Sequence, residues 1–232
     1  MDLINLFGIV LDCSGSMIQH IKPLVNGLNI FLEEHSGKNN LLSCLTFNVK
    51  SSFVYEFQAL DEIPKFHPSS FVLKDTTALR DAINTMIHHC EARQNKTVMP
   101  IIIVVTDGYD NSSNISNTEL ASIVEQKKNK GWKFIFLGTN QDAPEMGKSM
   151  GIDPKMSITF DENDGQIHAW KATSKMCKSM STSTHISFSD DERYMAKSKF
   201  MTIHSKKLTA NNAYLGSDEN DTIRLKKKCT IC

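Results

Sequence analysis

Apolar residues follow two different periods along this chain. Short unbroken runs, "LFGIVL" at 6–11, "IIIVVT" at 101–106 and "WKFIFLG" at 132–138, read as strands buried on both faces, because a half-exposed strand would alternate. Between them the spacing becomes helical. Ile18, Ile21, Val25, Leu28 and Leu32 recur every three or four positions before Gly37, and Leu79, Ile83, Met86, Ile87 and Cys90 repeat the pattern. "NLLSCLTF" (40–47) and "SSFVYEF" (51–57) read as two strands joined by a short polar turn. The stretch 58–74 carries Pro64 and Pro68 without a clear period and reads as loop. Ser116-Asn117-Thr118-Glu119 has the form of a capping box and opens a helix to about Lys130, where Gly131 stops it. A short helix over 142–150, a strand over 156–160 and a last helix from 164 to about 178 complete the series.

Strands alternating with helices predict right-handed crossovers and an α/β fold: a mainly parallel central sheet with helices on both faces. The pair at 40–57 is expected to add one antiparallel edge strand. Ligands on such sheets gather at the carboxyl ends of the strands, where Asp12, Asp107 and Gly138 fall.

Composition narrows the classes. At 232 residues the chain can bury a substantial core, and one main domain with an appendage is expected. Lys+Arg and Asp+Glu stand at 26 each, a balance that argues against nucleic acid as partner. The run at 3–11 lacks a basic leader and is too short to span a bilayer, so it is expected to be a strand and not a targeting segment. Six widely spaced cysteines predict reduced thiols and a cytoplasmic location. Past about 183 the chain turns to Ser, Thr, Lys, Asp and Asn with weak periodicity, so residues 1–183 are expected as the domain and 184–232 as a poorly ordered polar tail.

The candidate chemistry lies where the first strand ends. Asp12, Ser14 and Ser16 alternate there, Thr77 precedes the helix of "TTALRDAI", and Asp107 follows the Ile-rich strand in "VVTDGYDN". Each alone is an ordinary helix cap. Together they place five small oxygen-bearing side chains from three loops on one rim of one sheet. Mg²⁺ suits such a set, being a hard cation that prefers six oxygens and keeps some waters; Mn²⁺ and Ca²⁺ are alternative occupants. If the direct protein ligands are neutral hydroxyls, the ion keeps much of its charge and calls for an anionic ligand from outside.

Asp12-Cys13-Ser14-Gly15-Ser16-Met17, Thr77 and Asp107-Gly108 resemble the metal-ion-dependent adhesion site of von Willebrand factor A domains. Thr77-Ala78-Leu79 is similar to the family's threonine loop, although Thr76 stands where that loop often has glycine, and "FLGTNQDA" (136–143) is similar to stretches of bacterial and phage members. The resemblance covers about residues 3–180. It implies a Rossmann-like three-layer sandwich and a non-enzymatic role: metal-dependent binding of a protein that offers a carboxylate. It also implies that Asp12, Ser14, Ser16, Thr77 and Asp107 hold the ion directly or through water.

A metal-dependent phosphohydrolase using the Asp12/Asp107 rim is the alternative, although Ser14 stands where an Asp-x-Asp phosphotransferase carries its second acid. Gly147-Lys148-Ser149 lacks the upstream glycine of a phosphate loop, since position 142 is aspartate. Asp110 is expected as a solvated loop residue, with a place on the negative rim as its alternative. His88 and His89 read as surface or packing residues, and Trp132 and Trp170 as core. "RLKKKCTIC" (224–232) makes Cys229 a lipidation candidate beside a basic patch, which would give peripheral membrane attachment through the C-terminus.

Overall fold

The computed structural model describes residues 4–73, 76–95, 97–139, 142–161, 164–180 and 186–197. Six strands, β1 (Ile4–Asp12), β2 (Leu41–Phe47), β3 (Ser51–Ala59), β4 (Val98–Thr106), β5 (Lys133–Thr139) and β6 (Ser157–Phe160), form one sheet in the order β3-β2-β1-β4-β5-β6. All pairings are parallel except that of β2 with β3, the expected antiparallel edge. The continuous apolar runs mark its centre: β1 from Leu6 and β4 from Pro100 are buried at every position. The expected loop after β3 begins later than predicted, because β3 runs on to Ala59.

Helices α1 (Ile21–His35), α2 (Leu79–Glu91), α3 (Asn117–Asn129), α4 (Ala143–Ser149) and α5 (Asp164–Ser179) follow the strands. Neighbouring strand residues point to opposite faces. Phe7 meets Phe31 of α1 with ring centroids 5.0 Å apart, whereas a side chain on Gly8 would run into Met86 of α2. Helices therefore cover both faces of a mixed, mostly parallel sheet. Trp132 and Trp170 are buried core residues, as expected. His89 stacks on Phe57 at 4.0 Å, and His88 sits at the surface beside Glu91.

Gly27 in mid-α1 costs the helix roughly 1 kcal/mol against alanine. Its reason is tertiary: a Cβ there would stand 2.1 Å from Trp170 Cδ1 of α5, so the missing side chain is what lets the two helices approach.

Beyond the expected boundary at 183 the described residues carry one more element. A further helix, α6 (Asp190–Ala196), opens with a capping box between Ser189 and Glu192 and packs on the domain. Phe188 and Ala196 are buried, the Asp161 N–H donates to the Ala196 carbonyl at 2.8 Å, and Arg193 Nη1 donates to the Ser157 carbonyl at 2.5 Å. Phe188 and Ala196 carry no period and the arginine bonds to backbone, so the one sequence sign of this element was Ser189-Asp190-Asp191-Glu192, a capping-box pattern like that of Ser116–Glu119. Residues 198–232, with the rest of the expected tail and Cys229, lie outside the described residues.

Candidate metal centre

Register brings the site together. Leu11 pairs with Val105, so Asp12 and Thr106 leave the sheet side by side at its carboxyl edge. After Asp12 the chain stays extended at Ser14 (φ −66, ψ 163) and then tightens into a short 3₁₀ turn, Gly15–Gln19, ahead of α1. The extended step leaves Asp12, Ser14 and Ser16 close on one rim.

The Asp12 carboxylate is fully buried and spans two partners. Its Oδ1 accepts from the Ser14 N–H at 2.7 Å, and its Oδ2 accepts from the Thr106 hydroxyl at 2.6 Å. Burial pushes this carboxyl up to about 6, against the lowering effect of those hydrogen bonds, and the nearby charge of Asp107 adds to the rise. Ser14 Oγ and Ser16 Oγ lie 3.0 Å apart, and the Ser16 hydroxyl donates to Asp107 Oδ1 at 2.8 Å. Thr77 arrives on the third loop: a methyl group placed on Gly108 would stand 3.8 Å from its Oγ1. Ser16 is exposed, so solvent reaches the group.

The donor set fits a hard divalent cation. Neighbouring ligands on an octahedral Mg²⁺ with bonds of about 2.0–2.1 Å stand roughly 3 Å apart, and the Ser14–Ser16–Asp107 oxygens already have that spacing. Among the described residues no group of three or more His, Cys, Asp and Glu side chains is assembled as a metal cluster. The oxygens gathered here are mainly hydroxyls.

Three residues that sequence reasoning passed over support the rim. Thr106 binds Asp12, and Asn111 clamps the threonine loop: the Thr77 N–H donates to Asn111 Oδ1 at 3.0 Å, while the Asn111 N–H donates to the Thr77 carbonyl at 3.0 Å. The third is His20, buried beside Asp107 with Nε2 3.8 Å from Oδ2. It follows Ser16 by one helical turn, a spacing that was open to sequence inspection. Asp110 is neither solvated nor on the rim. Its carboxylate accepts from the Arg80 N–H at 2.7 Å and the Ser113 hydroxyl at 2.5 Å and pairs with Arg80 Nη2 at 3.3 Å, tying the loop after β4 to the start of α2.

Thr76 has φ +96, in the region that favours glycine, and a β-branched residue there carries strain. Cys13, Cys44, Cys90 and Cys177 are free and buried, and burial pushes the Cys13 and Cys90 thiols up to about 12. No helix among the described residues is long and apolar enough to cross a membrane.

A mostly parallel sheet between helix layers, with three loops converging at its carboxyl edge, defines a three-layer α/β domain with its candidate site at the strand ends. The chain belongs to the von Willebrand factor type A domain family: the family model matches residues 8–171. Domains of this family are non-catalytic interaction modules, and this chain is not read as an enzyme. No curated protein matches it in sequence.

Solved structures share the fold at low identity. The von Willebrand factor domain of the type V pili tip protein Mfa5 from Porphyromonas gingivalis superposes with a TM-score of 0.61 at 10% identity, covering 81% of this chain and 99% of that one. BatB, a conserved hypothetical protein from Bacteroides thetaiotaomicron, gives 0.55 at 18%, covering 78% and 100%. Proximal thread matrix protein 1 from the mussel byssus gives 0.57 at 14%, with 75% of this chain aligned to 46% of that protein. This chain thus spans less than half of the mussel protein.

Proposed function

We propose that this protein is a Mg²⁺-dependent protein-binding module in which Asp12, Ser14, Ser16, Thr77 and Asp107 hold the ion and a partner's carboxylate completes it; Mn²⁺ and Ca²⁺ would be alternative occupants. The observation that carries the reading is the line of oxygens Ser14 Oγ, Ser16 Oγ and Asp107 Oδ1, spaced at 3.0 and 2.8 Å on an exposed rim. When bound, the cation would supply a positive anchor for an acidic side chain. The chain's own part is to present hydroxyls, hold Asp12 in place through Thr106, and fix Thr77 through Asn111. Ile18 and Tyr109, each two positions past a site residue, are 66% and 72% exposed and would lie under a bound protein. The four buried free thiols among the described residues support the proposed intracellular setting.

Thermal melting with and without Mg²⁺ tests the site. At a hundredfold excess over the dissociation constant, binding adds about 2.7 kcal/mol, or roughly 5–10 °C for a chain of this size. The shift is expected in the natural protein and absent in Asp12→Ala; a wild-type melt indifferent to Mg²⁺ and Mn²⁺ refutes the site. Pull-downs should retain a protein partner in Mg²⁺ and lose it in EDTA. Turnover of a phosphate ester that dies with Asp12→Asn would overturn the reading in favour of a phosphohydrolase.

A further inference from the structure

A cavity of about 320 Å³ opens between the start of α2, the loop after β4 and α4. Two of its residues adjoin the metal rim: Leu79 stands two positions past Thr77, and Tyr109 two past Asp107. The buried part of the lining is apolar. Leu79 and Met150 are 1% and 2% exposed, and Met146 beside them is half-buried. Tyr109, Asp142 and Glu145 form the exposed part. Charge divides along the same line. Asp110 and Arg80 also line the cavity but answer each other, with Asp110 Oδ1 3.3 Å from Arg80 Nη2. Asp142 and Glu145 have no such answer. Asp142 Oδ1 accepts from the Glu145 N–H at 3.2 Å, and neither carboxylate pairs with a Lys, Arg or His among the described residues. An apolar floor thus lies under a rim with two uncompensated negative charges.

We propose that this cavity seats a large apolar side chain of the bound protein, with a neighbouring lysine or arginine of that protein set against Asp142 and Glu145. The inference rests on the metal-site reading above and gives the same partner a second anchor. A volume near the low end of the roughly 300–1,000 Å³ of ligand pockets suits one side chain. Two methionines make the floor adaptable, since thioether side chains repack around aliphatic and aromatic groups alike. An acidic neighbour would be repelled, and a neutral one would cover the two carboxylates without replacing the water they lose. A bare cation has no use for the apolar floor. The segment that fits therefore carries an acid for the ion, an apolar anchor and a base beside that anchor.

The probe is a library of random linear peptides displayed on phage and selected on the full chain in Mg²⁺. Selected peptides should share an acidic residue and, within a few positions, a large apolar residue beside Lys or Arg. Fluorescence polarisation then compares their binding to the natural protein, to Met146→Ala, and to a variant carrying both Asp142→Asn and Glu145→Gln. Circular dichroism first shows that each variant is folded. Asparagine keeps the cap that Asp142 gives α4, so the charge is removed without loosening the helix. Met146→Ala should weaken binding about tenfold, as loss of an anchor contact does. The doubly neutralised rim should weaken it about threefold at low salt, a difference that closes at high salt. Peptides released by EDTA yet bound equally by all three proteins overturn the inference and leave the metal site standing. Peptides that share the acid but no apolar–basic pair do the same. If Mg²⁺ yields no selected peptide, the inference falls, and the melting shift with Mg²⁺ decides the metal site by itself.

Discussion

Two buried titratable groups should set the pH dependence of the metal-free protein, and they oppose each other. His35 is 2% exposed, packed against Phe7 and Phe31, and burial brings it down to about 4, with Lys178 and Lys38 adding to the fall. A histidine depressed in the folded state contributes stability that is complete above its unfolded value and is lost as pH falls from about 6.5 toward about 4. Asp12 runs the other way: raised to about 6, it favours the folded state in acid, and that contribution is lost as pH rises through 6. From pH 7 to pH 5 the His35 share falls by about 2 kcal/mol, at 1.36 kcal/mol per unit. Over the same window the Asp12 share grows by about 1 kcal/mol. His89, lowered by burial, adds modestly to the His35 side.

The natural protein in EDTA should therefore lose only about 1 kcal/mol between pH 7 and pH 5. Removing either group unmasks the other. His35→Phe should become more stable on acidification, since the aromatic replacement suits Phe7 and Phe31 and the Ser174 hydroxyl keeps Glu34 at 2.6 Å. Asp12→Asn should lose about 2 kcal/mol over the same window. Urea unfolding followed by tryptophan fluorescence at pH 5, 6 and 7 reads all three slopes. Carboxylates held low, such as Glu34 and Asp81, titrate below this window in both states. Parallel slopes in the two variants, or an Asp12→Asn protein as flat as the natural one, would refute the reasoning.

Gly27→Ala should destabilise the protein by about 1–3 kcal/mol despite alanine's better helix propensity, because its methyl group meets the Trp170 ring. The cost should shrink in a Trp170→Phe background, which urea midpoints will show. Thr76→Gly should raise the unfolding free energy by about 1 kcal/mol, read from urea unfolding, by relieving the strained φ of +96, while Thr76→Ala should leave most of the strain in place.

Long-period patterns made most of the fold legible. The unbroken runs at 6–11 and 101–106 became the two central strands, and the helical spacing of Leu79 to Cys90 became α2, because burial on two faces or on one stripe leaves a direct mark on residue order. Asp12, Ser14 and Ser16 were legible because they stand close together in sequence where the first strand ends. The helix α6 had a capping-box pattern at Ser189–Glu192 but no apolar period behind it, because Arg193 holds it through backbone carbonyls, which have no residue code.

By itself the sequence determined the alternation of strands and helices, the sheet edge that carries the site and the candidate oxygens on it. The tertiary structure alone decided what those groups have beside them. Asp110 turned inward to Arg80, Gly27 made room for Trp170, Asn111 took hold of Thr77, and His20 was buried beside Asp107. The partners in these contacts lie 30 to 143 positions apart. Periodicity records which face a residue buries; it holds no record of which distant side chain it will meet there.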